Sequence, residues 1–178
     1  MSAQLFAGLA LAATTLIATA YPVSAGGDEV FFNKVVGQWG GPGEIVAGKY
    51  KGTKFVCSLS GESLAKNPGM ALDGTCRVGI FSQKMRAEVS KNGATYKGAF
   101  LDGALGKGLD IVSGNVVGDQ IVVGLDRKQL KGAMIAKLDG RDKLNISISV
   151  RVAEDLVPVI GMSLTRGEAP IKQTALEE

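Results

Sequence analysis

The sequence predicts an all-β protein: an antiparallel up-and-down β-barrel of eight to ten strands, preceded by a short N-terminal helix. Three observations carry this expectation. Apolar and polar residues alternate with a period of two through most of the chain, the mark of strands with one face in a core and one in water. Glycine-containing turn signals separate these runs at intervals of about ten residues, as strands joined by hairpins require. Glycine is frequent, at 25 of 178 residues, while aromatics make up only 6%, a composition suited to many short strands and tight turns.

The chain opens with an uncharged, mostly apolar run from Leu5 to Ala20. Val23-Ser24-Ala25 follows as a small-residue cleavage site ahead of Gly26-Gly27, which is the order of a secretory signal peptide. The run is shorter than the roughly 20 residues of a membrane-spanning helix, and no Lys or Arg precedes it. We therefore expect residues 1–25 to be a signal peptide cleaved after Ala25, and the protein to be periplasmic or secreted. Residues 26–166 are expected to form a single barrel domain. Residues 167–178 lack any period and are expected to form a mobile C-terminal tail.

Asp28 to Val36 reads as a short helix, with Asp28 as its N-cap. Gly37-Gln38-Trp39 ends it and opens a strand interrupted by Pro42. Strands are expected near 38–46, 53–60, 70–81, 84–91, 94–101, 108–116, 120–126, 129–138, 143–152 and 159–166. The clearest alternation sets Leu144, Ile146, Ile148, Val150 and Val152 against Asn145, Ser147, Ser149 and Arg151. Asn92-Gly93 is a strong hairpin signal, and Asp73-Gly74, Asp102-Gly103, Gly118-Asp119 and Asp139-Gly140 are further candidate bends. Consecutive short strands with no helical pattern between them favour an antiparallel sheet, and closing it into a barrel removes its exposed edges.

Composition excludes several functions. Histidine is absent, so His-based acid–base catalysis, Ser-His-Asp or Cys-His nucleophiles and His-containing zinc sites are all ruled out. The net charge of +3 does not mark a nucleic-acid binder, which concentrates basic residues on one face. Cys57 and Cys76 are the whole thiol supply; in an oxidising compartment they are expected to be bonded to each other. The pair would pin the strands on either side of the Ser60–Gly69 loop. The competing reading, a nucleophilic thiol, lacks an identifiable base and electropositive setting. A transmembrane barrel would put the polar row of 143–152 against its own lumen and needs aromatic girdles. With one Trp and three Tyr, the chain is expected not to be an integral membrane protein.

Gly37-Gln38-Trp39, directly after a short helix and at the start of the first strand, resembles the opening signature of lipocalins and the wider calycin barrels. That resemblance implies that Trp39 packs across the closed end of the barrel beneath an Arg from near the last strand, the position matched by Arg166 in Met162-Ser163-Leu164-Thr165-Arg166. Otherwise Trp39 is a core aromatic and Arg166 a solvated charge. Gly-Gln-Trp followed by the two cysteines also resembles the small periplasmic inhibitors of bacterial metalloproteases. Their mature N-terminus enters the protease, and the corresponding segment would be Gly26-Gly27-Asp28-Glu29. This chain is much longer than those inhibitors. The same layout is similar to uncharacterised exported bacterial proteins with a Gly-x-Trp start and paired cysteines.

Lys49-Tyr50-Lys51-Gly52-Thr53-Lys54 is the densest basic stretch. It is either a solvated hairpin loop or a contact for an anionic envelope polymer or lipid headgroup, with Lys49, Tyr50, Lys51 and Lys54 as the contacting residues. Asp126-Arg127-Lys128 with Lys131 forms a similar mixed cluster. Gly103-Ala104-Leu105-Gly106-Lys107-Gly108 fails as a phosphate loop, because Leu101 stands where the first glycine belongs and Gly108 where Ser or Thr should follow the Lys. Asn145-Ile146-Ser147 satisfies the glycosylation triplet inside the most regular strand and is discounted. Glu44, Glu62 and Glu88 are the carboxylates outside turns, and their spacing identifies no hydrolytic pair.

These observations lead to a non-enzymatic exported protein with no cofactor and no metal. Its leading role is a small-barrel binding module for a small apolar or amphipathic ligand. Small residues at Ala87, Ala99, Ala133 and Ala136 would leave room inside the barrel. The alternative is a protein–protein module of the envelope, such as a protease inhibitor or a structural component.

Overall fold

In the computed structural model, which describes residues 26–101, 109–128 and 130–167, one helix is followed by ten strands. Helix α1 spans Gly26–Val35. The strands are β1 (Gly37–Ile45), β2 (Lys54–Ser63), β3 (Gly69–Val78), β4 (Phe81–Asn92), β5 (Thr95–Leu101), β6 (Leu109–Val117), β7 (Gln120–Arg127), β8 (Leu130–Asp139), β9 (Lys143–Val152) and β10 (Asp155–Arg166). Each strand pairs antiparallel with its neighbours in sequence, and β1 pairs with β10 to close the barrel. The expected signal peptide (residues 1–25), the expected Asp102-Gly103 bend, the 103–108 glycine stretch and the expected tail beyond Gly167 lie outside the described residues.

The expected elements are present, with shifts that have local causes. Helix α1 begins two residues before Asp28. Strand β1 runs straight through Pro42, which pairs with Val56 of β2, while the ladder to β10 skips Gly41 and Pro42. Proline lacks the N–H that such a ladder uses. Strand β10 begins at Asp155 rather than near 159. Its register slips between Pro158 and Ile160, so the proline sits at a bulge inside the strand. Asn92 pairs with Thr95, leaving Gly93 and Ala94 as the turn, with Gly93 supplying the positive φ of 63°. Asp73 and Gly74 make no bend. They lie mid-strand in β3, where a Cβ on Gly74 would collide with the Ser58 carbonyl of β2.

The period-two pattern puts one row from each strand inside. Leu59, Leu72, Val89, Ile121, Val123, Leu138, Leu144 and Leu164 are buried, and no polar or charged residue is buried among the described residues. Helix α1 lies across one end of the barrel and inserts Phe31, Phe32 and Val35 into this core. Phe32 meets the Tyr96 ring edge to face at 5.9 Å, a favoured aromatic arrangement.

The end of α1 is fixed by two residues from opposite ends of the barrel sequence. Trp39 is fully buried, and its indole N–H donates to the Val35 carbonyl at 2.7 Å. The Arg166 guanidinium stacks on the Trp39 ring, 4.2 Å from its centre, and donates to the carbonyls of Lys34 and Val36. Helix C-termini leave such carbonyls without intrahelical partners, and a cation is favoured there. Gly37, at φ 129°, makes the turn between helix and strand, and a Cβ there would strike the guanidinium.

Candidate ligand site at the barrel mouth

Helix α1 closes the end of the barrel that carries the 64–68, 93–94, 118–119 and 140–142 connections. The 46–53, 79–80 and 153–154 connections lie at the opposite end. This end opens into a cavity of about 370 Å³. Its wall is apolar: Ile45 and Phe55 from β1 and β2, Val78, Phe81 and Met85 from the β3–β4 hairpin, and Ile148, Ile160 and Met162 from β9 and β10. Ser82 and Gln83 are the polar residues of the lining. A second space of about 30 Å³ lies among Leu59, Met70, Leu72, Phe100, Met134 and Ile146, and shares Cys76, Met85 and Met162 with the mouth.

Local sequence explains the shape. Gly43 lacks the Cβ that would collide with the Phe55 ring and Met162, so the ring of Phe55 occupies the space beside β1. Four methionines, Met70, Met85, Met134 and Met162, line the inner space, and Met85 and Met162 also line the mouth. Their unbranched thioethers adapt to irregular shapes, unlike β-branched side chains. With no buried polar group, the cavity offers apolar contact rather than hydrogen-bond readout to whatever enters it.

Cys57 and Cys76 are directly paired across β2 and β3 and are joined by a disulfide. Cys57 is fully buried and Cys76 borders the cavity. The Met162 sulfur lies 3.8 Å from that of Cys57. Trp39 and Arg166 sit at the plugged end, far from the mouth in the strand register. Lys49, Tyr50 and Lys51 project from the 46–53 loop, which is folded back on itself by hydrogen bonds from Gly52 N to Ile45 O (2.7 Å) and from Lys51 N to Gly48 O (3.2 Å). Lys54 begins β2 beside this loop, and the Lys49 ammonium lies 5.5 Å from the Tyr50 ring centre.

Of the four alanines expected inside, Ala87 and Ala136 line the inner space. Ala99 and Ala133 do not: they alternate out of phase with the buried Phe100 and Met134, so they lie on the outer face. The three carboxylates outside turns are not brought together. Glu88 pairs with Arg86 at 2.7 Å on the outer surface, while Glu44 pairs in register with Lys54 and Glu62 with Ala71.

The polar cluster that the sequence did not reveal lies at the plug. The Asp28 carboxylate accepts hydrogen bonds from Lys91 Nζ and Tyr96 Oη, both at 2.6 Å. Burial opposes its charge, but the two hydrogen bonds and the Lys91 charge prevail, and its pKa falls below the ordinary value. Burial and the adjacent carboxylate push the Tyr96 phenol up. Gly26–Glu29, the segment assigned to a protease by the inhibitor resemblance, is the first turn of α1 and is tied to the barrel through Asp28.

The mouth residues were the larger omission. Val78-Gly79-Ile80-Phe81 is an apolar stretch at a hairpin turn, where polar residues are usual, and that oddity was the available signal.

The fold and site together define a class: a closed ten-stranded antiparallel barrel with a helical plug at one end and an apolar opening at the other. No protein-family profile matches the chain, and no curated protein matches its sequence. Among solved structures it is similar to Rv2717c from M. tuberculosis, with a TM-score of 0.58 and 16% identity, over 79% of this chain and 98% of that one. At that identity the likeness is one of fold.

Proposed function

We propose that the protein is a non-enzymatic binding module that holds the apolar part of a small amphipathic molecule in the barrel mouth. One observation carries the reading: the end opposite the plug opens into an apolar cavity of about 370 Å³ that continues toward the core. That volume is at the small end of the roughly 300–1,000 Å³ typical of ligand pockets. It suits a single chain or ring system whose polar end stays at the rim. Ser82 and Gln83 are the residues placed to meet that end.

The same reading makes this an exported protein. The uncharged run and cleavage site of residues 1–25 support it, and so does the Cys57–Cys76 bridge, since such bonds persist in oxidising compartments. Native mass spectrometry of the exported protein, purified without detergent, tests the proposal. Added mass removable by organic extraction is the expected result. Bare protein that also takes up no apolar probe would overturn it.

A further inference from the structure

We propose that the open end of the barrel is a docking surface for an anionic lipid bilayer, anchored by the tip of the β3–β4 hairpin. This goes beyond the binding reading and stands or falls independently of what occupies the cavity. Strands β2 and β3 pair antiparallel, with Val56 opposite Arg77 and Cys57 opposite Cys76. The 46–53 loop before β2 and the turn after β3 therefore project side by side from the same end. Val78 pairs with Phe81, which leaves Gly79-Ile80 as a two-residue turn, and Gly79 supplies its positive φ of 55°.

The turn needs nothing apolar, yet Ile80 is 91% exposed and Phe81 75% exposed. Tyr50 is 63% exposed on the neighbouring loop. Clustered exposed apolar side chains of this kind mark interaction surfaces.

Charge identifies the partner. Residues 46–54 and 77–84 contain Lys49, Lys51, Lys54, Arg77 and Lys84 and no Asp or Glu. Among the described residues none of these five cations takes part in an ion pair. Glu44, in register with Lys54, and Glu154 and Asp155 of the β9–β10 turn also lie toward this open end, whereas at the plugged end Asp119 and Asp28 are paired with Lys34 and Lys91. An apolar tip flanked by lysines and an arginine that form no ion pair among the described residues complements a negatively charged interface. The side chains of Ile80 and Phe81 would enter the acyl boundary, and the lysine stems would keep their ammonium groups among the headgroups. This orientation presses the cavity mouth against the bilayer.

Co-sedimentation with vesicles tests the proposal. The purified protein should sediment with vesicles of equal parts phosphatidylcholine and phosphatidylglycerol, and release on raising the salt. It should bind vesicles of phosphatidylcholine alone much more weakly. Lys49→Gln, Lys51→Gln and Lys54→Gln together should weaken binding about 100-fold, at roughly fivefold for each cation near an anionic surface. The double variant Ile80→Ser, Phe81→Ser should lose at least about tenfold. Should it fold poorly by circular dichroism, Ile80→Ser alone still loses measurable binding, because that side chain packs on nothing that folding requires.

No sedimentation of the wild type with mixed vesicles, or equal binding by both variants, overturns the proposal. So does a concentration-dependent dimer that Phe81→Ser dissolves in the absence of vesicle binding, which assigns the patch to a second copy of the chain. Sedimentation reads the rim and probe uptake reads the cavity, so this proposal and the binding reading fail separately.

Discussion

The guanidinium of Arg166 lies over the indole of Trp39, 4.2 Å from the ring centre, and joins the first and last strands of the barrel to the end of its plugging helix. The two side chains occupy the carbonyls of Lys34, Val35 and Val36, and a third donor of Arg166 reaches the Arg141 carbonyl at 2.8 Å. The planar fork of arginine serves all of these contacts at once. Arg166→Ala should destabilise the fold by about 2–3 kcal/mol, from the lost stacking and the orphaned carbonyls. For a domain of this size, that lowers the melting temperature by roughly 4–12 °C. Arg166→Lys should recover only part of the loss, because an ammonium keeps the charge but cannot span the carbonyls. Thermal melts of the two variants beside wild type check this.

The Asp28–Lys91–Tyr96 cluster gives the stability a pH dependence at both extremes. Asp28 has a lowered pKa in the folded protein, so its contribution is present above the unfolded value of about 3.9 and is lost as pH falls through the folded value. Tyr96 has a raised pKa. Its contribution is complete below the unfolded value near 10 and disappears as pH rises beyond it. Urea midpoints measured across pH should show Asp28→Asn flattening the acid limb and Tyr96→Phe flattening the alkaline limb. Each variant should also be less stable at neutral pH, by about 1–3 kcal/mol for the broken hydrogen bonds.

Ala153 is the first central residue of the β9–β10 turn, between paired Val152 and Asp155, and holds φ 53°. An L-residue pays sterically for that region, and glycine does not. Ala153→Gly should therefore stabilise the protein by about 0.5–1 kcal/mol, against the loss that glycine causes at ordinary strand positions. A calorimetric melt raised by about 1–4 °C is the expected result.

Removing the disulfide should act on stability and site together. Cys57→Ala with Cys76→Ala opens a loop of sequence separation 19, which costs about 3 kcal/mol in the chain-entropy model. Because Cys76 also borders both parts of the cavity, probe affinity should fall as well. Melting and fluorescence titration of the double variant measure the two effects.

Much of the barrel could be read from periodicity. Strand β9 runs from Lys143 to Val152 as expected, because its apolar row is unbroken and both flanking turns are marked. The start of β10 was hidden by Pro158, which disturbs the alternation although the strand continues past it on a bulge. Inner and outer faces were harder to assign. Ala87 and Ala136 point inward while Ala99 and Ala133 point outward, a distinction that rests on parity with Phe100 and Met134 within each strand. The plug cluster joins Asp28 to residues more than 60 positions away, and local pattern holds no record of such a contact. The mouth depends on which hairpins share an end of the closed barrel, so Ile80 and Phe81 acquire meaning only beside Tyr50 and the lysines.

The central claim is that the mouth takes up the apolar part of a small molecule, and a fluorescent fatty-acid analogue tests it most directly. Met85 lines both the mouth and the inner space, so Met85→Trp should obstruct the cavity while leaving the plug intact. Titration should show saturable binding of one probe per wild-type chain and at least about tenfold weaker binding by Met85→Trp, a difference of about 1.4 kcal/mol. Absence of saturable binding to wild type, or unchanged affinity in a folded Met85→Trp variant, would contradict the account.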